Sequence, residues 1–304
     1  MISVSSQLKS GKLPTSVLGL AGKLLLLDVG NTHTHVGLAD GDGIVRQWRF
    51  PTGRWADCAE QARLPGLRLA RSLAGAAVAC VVPRALPEIR HLIEGKWGVQ
   101  LLELNARTLR GLEWDYPRPE TIGPDRLANA LAARVHWGAP VLAVDAGTAT
   151  TFDVVNRRGQ YIGGAIAPGF ALVASCLAGK TALLPPMKWR EMKRVIGKNT
   201  QEAMLAGAVG GYCGLVSHLI EEVRKELRCT RLTVVATGGD AGWLARRVAG
   251  IHHYTPDLTL EGLRLFWCFH QAPSPVKGEG RLPRRQRRPA SLTLRKTNTL
   301  FPFK

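Results

Sequence analysis

Residues 27–34 read LDVGNTHT, and residues 144–151 read VDAGTATT. The aspartate, the glycine and the polar residue after it recur at one offset of 117 residues, and Thr34 and Thr151 share that offset. Each segment follows a short apolar run and precedes a second extended run, which predicts a strand, a tight turn and a returning strand. The chain is therefore predicted to contain two related halves.

The turn in each segment has the composition of a phosphate-binding loop. Gly30 and Gly147 let the backbone approach a ligand closely, and successive N–H groups around such a turn can surround an anion. Side-chain donors are added by Asn31, Thr32, Thr148 and Thr150. One turn alone could be an ordinary hairpin, but the second copy favours two turns that hold a nucleotide's phosphates from both sides. A P-loop motif, GxxxxGK[ST], is absent from the sequence.

Strand and helix patterns alternate along the chain, which predicts an α/β protein. We expect a first lobe over residues 23–138 and a second over 139–266, with disordered extensions at 1–22 and 267–304. A long helix predicted over 199–227 carries a face of small residues, which suits internal packing or a subunit contact equally well. These small residues are Gly207, Gly210, Gly211 and Gly214.

Much of the formal net charge of +18 lies at the chain ends. Residues 273–304 hold nine basic side chains and one acidic side chain, among several prolines and glycines. A solvated, disordered tail explains this composition, and binding to nucleic acid is the alternative. The six cysteines form no CxxC pair, which favours a reducing cytoplasm, and no apolar stretch approaches the roughly 20 residues of a membrane helix.

Seven motifs in fixed order over residues 24–266 resemble the type III pantothenate kinases of the hexokinase/actin/Hsp70-like superfamily. They are DVGNT at 28–32, GPDR at 123–126, DAGTAT at 145–150, GGAIAPG at 163–169, TALLP at 181–185, NTQEA at 199–203 and TGGDA at 237–241. The resemblance implies two duplicated actin/ribonuclease H-like lobes, each a mixed sheet with flanking helices, and a cleft between them. It also implies ATP-dependent phosphorylation of the primary hydroxyl of pantothenate, the first step of coenzyme A biosynthesis.

The resemblance assigns roles to individual residues of the nucleotide site. The first phosphate-binding segment would be Asp28, Val29, Gly30, Asn31, Thr32, His33, Thr34 and His35. Thr148 would contact ATP, and the segment 237–239 would lie near the nucleoside. Asp145 would bind the monovalent cation, K⁺ or NH₄⁺, and Asp28 would hold Mg²⁺ directly or through water, as a carboxylate beside phosphates can.

The same resemblance assigns the acceptor site, where Asp125 would be the proton acceptor. The pantothenate pocket would be lined by Tyr116, Gly123, Pro124, Asp125, Arg126 and Thr181. By its position at a helix start alone, Asp125 suits an N-cap, and the two roles can coexist. Arg126 suits an anchor for the pantothenate carboxylate or an ordinary surface arginine.

Other interpretations of the chain stay open at this point. His33 and His35 alternate along a predicted strand, where they would flank phosphate or face solvent rather than form a transition-metal site. The function could instead be that of a nucleic-acid-associated regulatory protein, with the basic tail as its contact, or of another phosphotransferase of the superfamily. The expected partners are ATP, pantothenate and a second copy in a cytoplasmic homodimer, with the substrate pocket near the subunit interface and no membrane contact.

Overall fold

Two β-sheets form the frame of the computed structural model, which describes residues 22–54, 73–181, 183–187 and 194–271. The strands are β1 (Lys23–Val29), β2 (His33–Ala39), β3 (Ile44–Pro51), β4 (Leu73–Cys80), β5 (Leu101–Glu103), β6 (Glu113–Trp114), β7 (Val141–Ala146), β8 (Ala149–Val155), β9 (Gln160–Pro168), β10 (Thr233–Thr237) and β11 (His253–Tyr254). The helices are α1 (Leu86–Arg90), α2 (Pro124–Trp137), α3 (Phe170–Lys180), α4 (Thr200–Glu226), α5 (Ala241–Leu244) and α6 (Leu258–Gln271). Short 3₁₀ turns lie at Thr52–Arg54, Pro83–Ala85 and Pro119–Thr121, and a π-helical segment at His91–Lys96 continues α1.

The two sheets repeat one topology, which confirms the predicted duplication. The first has the order β3-β2-β1-β4-β5, and the second has the order β11-β10-β7-β8-β9-β6. In the first sheet, β2 pairs antiparallel with β1 and β3, and β4 pairs parallel with β1. In the second sheet, β8 pairs antiparallel with β7 and β9, and β10 pairs parallel with β7. The second sheet therefore repeats the first with β7 in the place of β1. This is the expected α/β fold of two duplicated lobes, each a mixed sheet with flanking helices.

The central strands of the lobes are buried because their sequences are continuously apolar. The leucine run of β1 at residues 24–27 is fully or almost fully buried, as are Ala76, Ala77 and Val78 of β4. Strands covered on both faces read as unbroken apolar runs rather than as alternating ones. β3, at the edge of its sheet, instead has mostly exposed or half-buried side chains. Burial thus places the ends of β1 and β7 in the middle of the molecule.

The register of the two hairpins corrects one equivalence drawn from the sequence. Val29 pairs with Thr34 in the first hairpin, and Ala146 pairs with Thr150 in the second. The first turn is thus one residue longer, so the offset of 117 holds up to the turn and falls to 116 after it. Thr34 corresponds to Thr150 rather than to Thr151, and both equivalent threonines are fully buried.

Helices α2 and α6 lie in a core shared by both sheets. The cluster that contains Leu24 of β1 also contains Val141 of β7, Leu131 of α2 and Phe266 of α6. The two helices cross closely, because a Cβ on Gly262 would lie only 2.1 Å from the backbone oxygen of Ala128. The lobes therefore share one hydrophobic core beneath the cleft.

The structure differs from the expected lobe boundaries of 23–138 and 139–266. β6 belongs to the first half of the chain, yet it pairs with β9 in the second sheet. α6 belongs to the second half, yet it packs on α2, β1 and β4, and it continues to Gln271 with Trp267 buried. The two halves exchange elements because β6 and α6 complete the core of the opposite lobe. The expected disorder of 1–22 and 267–304 falls, apart from Gly22 and 267–271, outside the described residues.

α4 is more apolar than the sequence analysis anticipated. Among the described residues, it is the one helix whose length and mean hydropathy would allow it to cross a membrane. Tyr212, Val216 and Ile220 of α4 share a core cluster with Val144 of β7. Packing against the second sheet accounts for this buried side of α4.

Candidate active site

The two glycine turns face each other across the cleft. The hydroxyls of Thr32 and Thr148, one from each turn, lie 3.2 Å apart. Both turns close in the same way, because the N–H groups of Gly30 and Gly147 each donate to a backbone oxygen of the returning strand at 3.0 Å. The prediction of two opposed turns is confirmed by this geometry.

Three carboxylates meet beside these turns. Asp28 and Asp145 stand near the ends of β1 and β7, and Asp125 is in the first turn of α2. Burial, Asp125 and Asp145 raise the pKa of Asp28 well above its usual range. Burial and Asp125 raise the pKa of Asp145 to about 6. The negative charge of neighbouring carboxylates thus adds to burial in raising the pKa of Asp28 and of Asp145, which favours a cation nearby.

Asp125 is not the N-cap of α2. The helix begins at Pro124 with Gly123 as its cap residue, and the Asp125 carboxylate accepts the N–H of Arg126 at 2.8 Å. A Cβ on Gly123 would lie 2.6 Å from Oδ1 of Asp125, so glycine leaves the space beside that oxygen open. Burial raises the pKa of Asp125. The carboxylate is held at the cleft without being used to cap the helix.

Arg126 is anchored by a buried carboxylate that the sequence analysis missed. Its Nε donates to Asp153 on β8 at 2.7 Å, and the hydroxyl of Tyr161 donates to the same oxygen at 2.9 Å. Burial lowers the pKa of Arg126, but Asp153, Tyr161 and Asp125 together outweigh burial and raise it. Asp153 is fully buried. A lone carboxylate in an apolar strand needs such partners, and the sequence TFDVV was the signal for one.

Tyr116 reaches the same corner of the cleft. Its ring packs edge-on against that of Tyr161, with centroids 5.9 Å apart, and its Cε2 lies 3.4 Å from the position of a Cβ on Gly163. Nη2 of Arg126 lies 3.3 Å from the position of a Cβ on Gly164. The structure thus gathers Tyr116 and Arg126 over β9.

Thr181 stands apart from these two residues. It follows the end of α3, is exposed, and donates its hydroxyl to the backbone oxygen of Leu177 at 2.9 Å. Within the described residues it has no side-chain hydrogen bond to the rest of the predicted pocket. Its place in that pocket stays a prediction.

Asp145 is held by a second polar contact that the sequence analysis missed. Asn129 is fully buried on α2, one helical turn after Asp125, and its Nδ2 donates to Oδ2 of Asp145 at 3.0 Å. The hydroxyl of Thr259 on α6 donates to Oδ1 of Asn129 at 2.9 Å and so fixes the amide orientation. An asparagine within the apolar sequence LANALAA at residues 127–133 was the available signal, because a buried amide needs partners.

A third turn, after β10, packs against the second glycine turn. The N–H of Asp240 donates to the backbone oxygen of Ala146 at 2.9 Å. Gly238 has a φ of +92°, and a Cβ there would lie 2.5 Å from Oδ1 of Asp145. On the other side, a Cβ on Gly169 would lie 2.0 Å from the backbone oxygen of Gly147. Glycines on two neighbouring segments therefore let the second turn sit where it does.

His33 and His35 lie on the face of the first hairpin that borders the cleft. A guanidinium nitrogen of Arg49 lies 3.4 Å from Nδ1 of His33, and Nε2 of His35 lies 2.9 Å from Oε1 of Gln47. Burial and Arg49 lower the pKa of His33. No group of three potential metal-ligating side chains (His, Cys, Asp or Glu) occurs in the part of the chain that the structure describes.

Known proteins resemble the chain over most of its length. The family model described as type III pantothenate kinase matches residues 24–222. A type III pantothenate kinase from Akkermansia muciniphila is 43% identical over 248 residues, which cover 79% of this chain and 96% of the relative. One from Syntrophotalea carbinolica is 41% identical over 251 residues, which cover 80% of this chain and 98% of the relative. A solved structure of a Baf family protein from Campylobacter jejuni has a TM-score of 0.52 at 18% identity and covers 80% of this chain and 96% of its own; it shares the fold.

Proposed function

The chain belongs to the type III pantothenate kinase family and phosphorylates pantothenate with ATP in coenzyme A synthesis, and we propose that the reaction takes place between its two glycine turns. The observation that carries this placement is the 3.2 Å approach of Thr32 and Thr148 beside three carboxylates. Phosphoryl transfer depends mostly on positioning and on charge neutralisation, and two opposed turns supply the positioning.

The triphosphate of ATP lies along residues 28–35 on one side and at Thr148 on the other. Among the described residues, the backbone N–H groups of Asn31, Thr32 and Thr148 donate to no protein acceptor, so they are free to donate to phosphate oxygens. The nucleoside extends toward the turn at Gly238 and Gly239, which packs on the second glycine turn.

Asp125 accepts the proton of the pantothenate hydroxyl. The hydroxyl oxygen forms a bond to the γ-phosphorus while the bond from that phosphorus to the β–γ bridging oxygen breaks, and the proton passes to the carboxylate of Asp125. A carboxylate is a sufficient base because the transition state is loose. The raised pKa of Asp125 brings its basicity closer to that needed for proton transfer near neutral pH.

Arg126 and Tyr116 bind the other end of pantothenate. The ion pair with Asp153 uses Nε of Arg126 and fixes the plane of the guanidinium, so the remaining N–H groups can bind the pantothenate carboxylate. Gly123 and Pro124 keep the helix start close to the substrate. Thr181, after the end of α3, completes the pocket in this proposal.

The residues present fit the cations that the family's reaction implies. Asp28 would hold Mg²⁺ with the phosphates, directly or through water, and Asp145 would hold K⁺ or NH₄⁺, with Asn129 setting the direction of its carboxylate. Bound cations would neutralise the charge that develops on the transferred phosphoryl group. Without them, three neighbouring carboxylates would repel the nucleotide.

The active form is a cytoplasmic homodimer. Apolar side chains at the end of β9, on α3 and in the segment before α4 are exposed, among them Ile166 at 64% and Leu183 at 91%. The small-residue face of α4 is also uncovered, since added Cβ atoms at Gly207 and Gly210 would meet open space. Several large, exposed apolar side chains are a feature of protein interfaces. Thr181 lies between these elements, so a second copy would stand near the pantothenate pocket.

The test is a pantothenate-dependent ADP-release assay on the purified chain. We expect ADP formation with pantothenate and not with glucose or acetate, and a phosphorylated product of matching mass. Replacing K⁺ or NH₄⁺ by Na⁺ should lower the rate strongly. ADP formation that ignores pantothenate would contradict the acceptor, and a full rate in sodium would contradict the monovalent-cation site.

A further inference from the structure

Arg49 is a charged side chain at the cleft that none of the roles above uses. It stands on β3 opposite His35 in the hairpin register, on the same face as Gln47. It is exposed, and its Nη2 lies 3.4 Å from Nδ1 of His33 at the start of β2. Arg46 on the same strand instead stacks over the ring of Trp48 on the opposite face.

The guanidinium of Arg49 reaches the other lobe. Its Nη1 lies 3.8 Å from the position that a Cβ on Gly239 would take. Gly239 belongs to the turn after β10 in the second sheet, whereas β3 is the edge strand of the first sheet. Arg49 therefore spans the cleft above the two glycine turns.

The surroundings of Arg49 are rich in carboxylates that it does not touch. Burial raises the pKa of Asp28 in the first lobe and that of Asp240 in the second lobe, and the charge of Arg49 opposes both rises. Within the described ranges, it makes no ion pair with either residue, and its side-chain contact is with His33. A guanidinium that served only to join the lobes would be expected to pair with one of these carboxylates.

The other arginine at the cleft is already occupied. Arg126 is held by Asp153 on the acceptor side. A nucleotide triphosphate placed beside Asp28, Asp125 and Asp145 brings further negative charge into a site that contains several carboxylates. Among the described residues, Arg49 is a cation placed to offset that charge on the nucleotide side.

Resting on the proposed function, we propose that Arg49 binds the terminal phosphates of ATP and links the two lobes through them. The planar guanidinium can donate two N–H groups to phosphate oxygens from the first lobe while it lies against the glycine turn of the second. His33 accepts from it and holds it in that direction. The interaction depends on the β- and γ-phosphates, so Arg49 makes the site selective for a triphosphate over a monophosphate.

The experiment compares Arg49→Gln and Arg49→Lys with Arg46→Gln as the matched control. Arg46 loses the same charge from the same strand but on the opposite face. We expect Arg49→Gln to raise the KM for ATP by about 10- to 100-fold, as removal of a charged hydrogen bond does, with the KM for pantothenate nearly unchanged. Direct binding should weaken for ATP and stay nearly constant for AMP. Arg49→Lys should recover part of the affinity, because it restores the charge but not the two-pronged geometry.

Each result decides between the two proposals. A wild-type chain without pantothenate-dependent ADP release would contradict the proposed function itself. An active wild type with Arg49→Gln no different from Arg46→Gln would overturn the role of Arg49 alone. Equal weakening of ATP and AMP would also overturn it. A structural role of Arg49 would give a different pattern. Arg49→Gln would then have a lowered melting temperature, while Arg49→Lys and refolded Arg49→Gln would show normal ATP kinetics.

Discussion

At the scale of single residues, the site is a balance between carboxylates and the groups that hold them. Asp28, Asp125 and Asp145 each lose solvent near the others, which raises their pKa values. Arg126 and Asn129 work against that cost, Arg126 by its charge and its N–H group beside Asp125 and Asn129 by donating to Asp145. We therefore expect the charge distribution of the free protein to favour cations at this site.

Removing the proposed base should separate binding from chemistry. We expect Asp125→Asn to lower kcat by about 10²- to 10⁴-fold, the usual contribution of a positioned acid–base group, with ATP affinity close to that of the wild type. Steady-state kinetics and nucleotide titration measure the two effects. Glu120→Gln, an exposed change in the preceding turn, is the control and should leave turnover unchanged. Wild-type turnover in Asp125→Asn would contradict the assignment.

Asp145→Asn should stabilise the free protein and inactivate it. The pKa of Asp145 is raised from 3.8 to about 6, so its ionisation costs stability above that pH and costs nothing below pH 4. We expect the variant to be more stable by about 1–2 kcal/mol at pH 7.5, since partial solvent access reduces the full cost. The gain should disappear toward pH 4.

Denaturant titrations at several pH values measure this gain. Asp42→Asn, a change at an exposed carboxylate, serves as the control and should give no pH-dependent difference. A variant that is less stable than the wild type at pH 7.5 would show that the Asp145 carboxylate contributes favourable contacts that outweigh its ionisation cost.

The residues that carry a local pattern could be predicted, and those that act through distant partners could not. Asp28 and Asp145 belong to a repeated motif, so the sequence alone indicated both. Asp153, Asn129 and Thr259 are single polar residues in apolar segments, and their partners lie on other elements. A polar residue in such a segment shows that a partner exists but not which one, because pairing is decided by tertiary structure.

At the scale of elements, the position of the second glycine turn depends on two neighbouring segments that approach its backbone closely. The segment between β9 and α3 packs against the second glycine turn through Gly169, and the turn after β10 does so through Gly238. A side chain at either position would collide with backbone atoms, which cannot move aside as the end of a flexible side chain can. The position of the second turn is therefore set by contacts outside its own sequence.

Gly169→Ala should damage catalysis through this contact. Because the added methyl would stand 2.0 Å from the backbone oxygen of Gly147, the second turn must shift, and a misplacement of about 1 Å can cost about 100-fold in rate. We expect a fall in kcat/KM of that order and a destabilisation of about 1–3 kcal/mol. Gly53→Ala, where the added methyl meets open space, should change neither. Equal activity in the two variants would contradict a shift of the turn.

Strand positions were predictable because the apolar runs and turn residues are local signals. The hairpin register was not, since an extra residue in the first turn changes the equivalence of Thr34 without changing the motif. The pairing of β6 with β9 was also hidden, because a two-residue strand has no periodicity of its own.

At the scale of the whole molecule, the two lobes pack against each other on one side, and the cleft between them is open on the other side. α2 and α6 fill the core beneath the cleft, whereas Thr32, Thr148 and Arg49 mark its open side. The exposed apolar surface of β9, α3 and the start of α4 lies on the second lobe. We expect the open side of the cleft to bind the substrates and the exposed apolar surface to contact a second copy.

Ile166→Glu should convert the proposed dimer into a monomer. The side chain is 64% exposed in the single chain, and a carboxylate at this position would be buried without a partner in a dimer. Light scattering coupled to size-exclusion chromatography measures the mass. Val45→Glu, at a 50% exposed valine of β3, is the control and should leave the mass unchanged. A wild-type chain that is already monomeric at micromolar concentration would contradict the proposed dimer.

The docking of α6 on the first lobe has a consequence for biosynthesis. Thr259 completes the polar chain to Asp145, and Phe266 completes the core around β1. During translation, part of the interior of the amino-terminal lobe therefore stays exposed to solvent until α6 has left the ribosome. Nascent chains that stop early would expose the sides of β1 and α2 meant for this helix, which makes premature termination a route to aggregation rather than to a partly working enzyme.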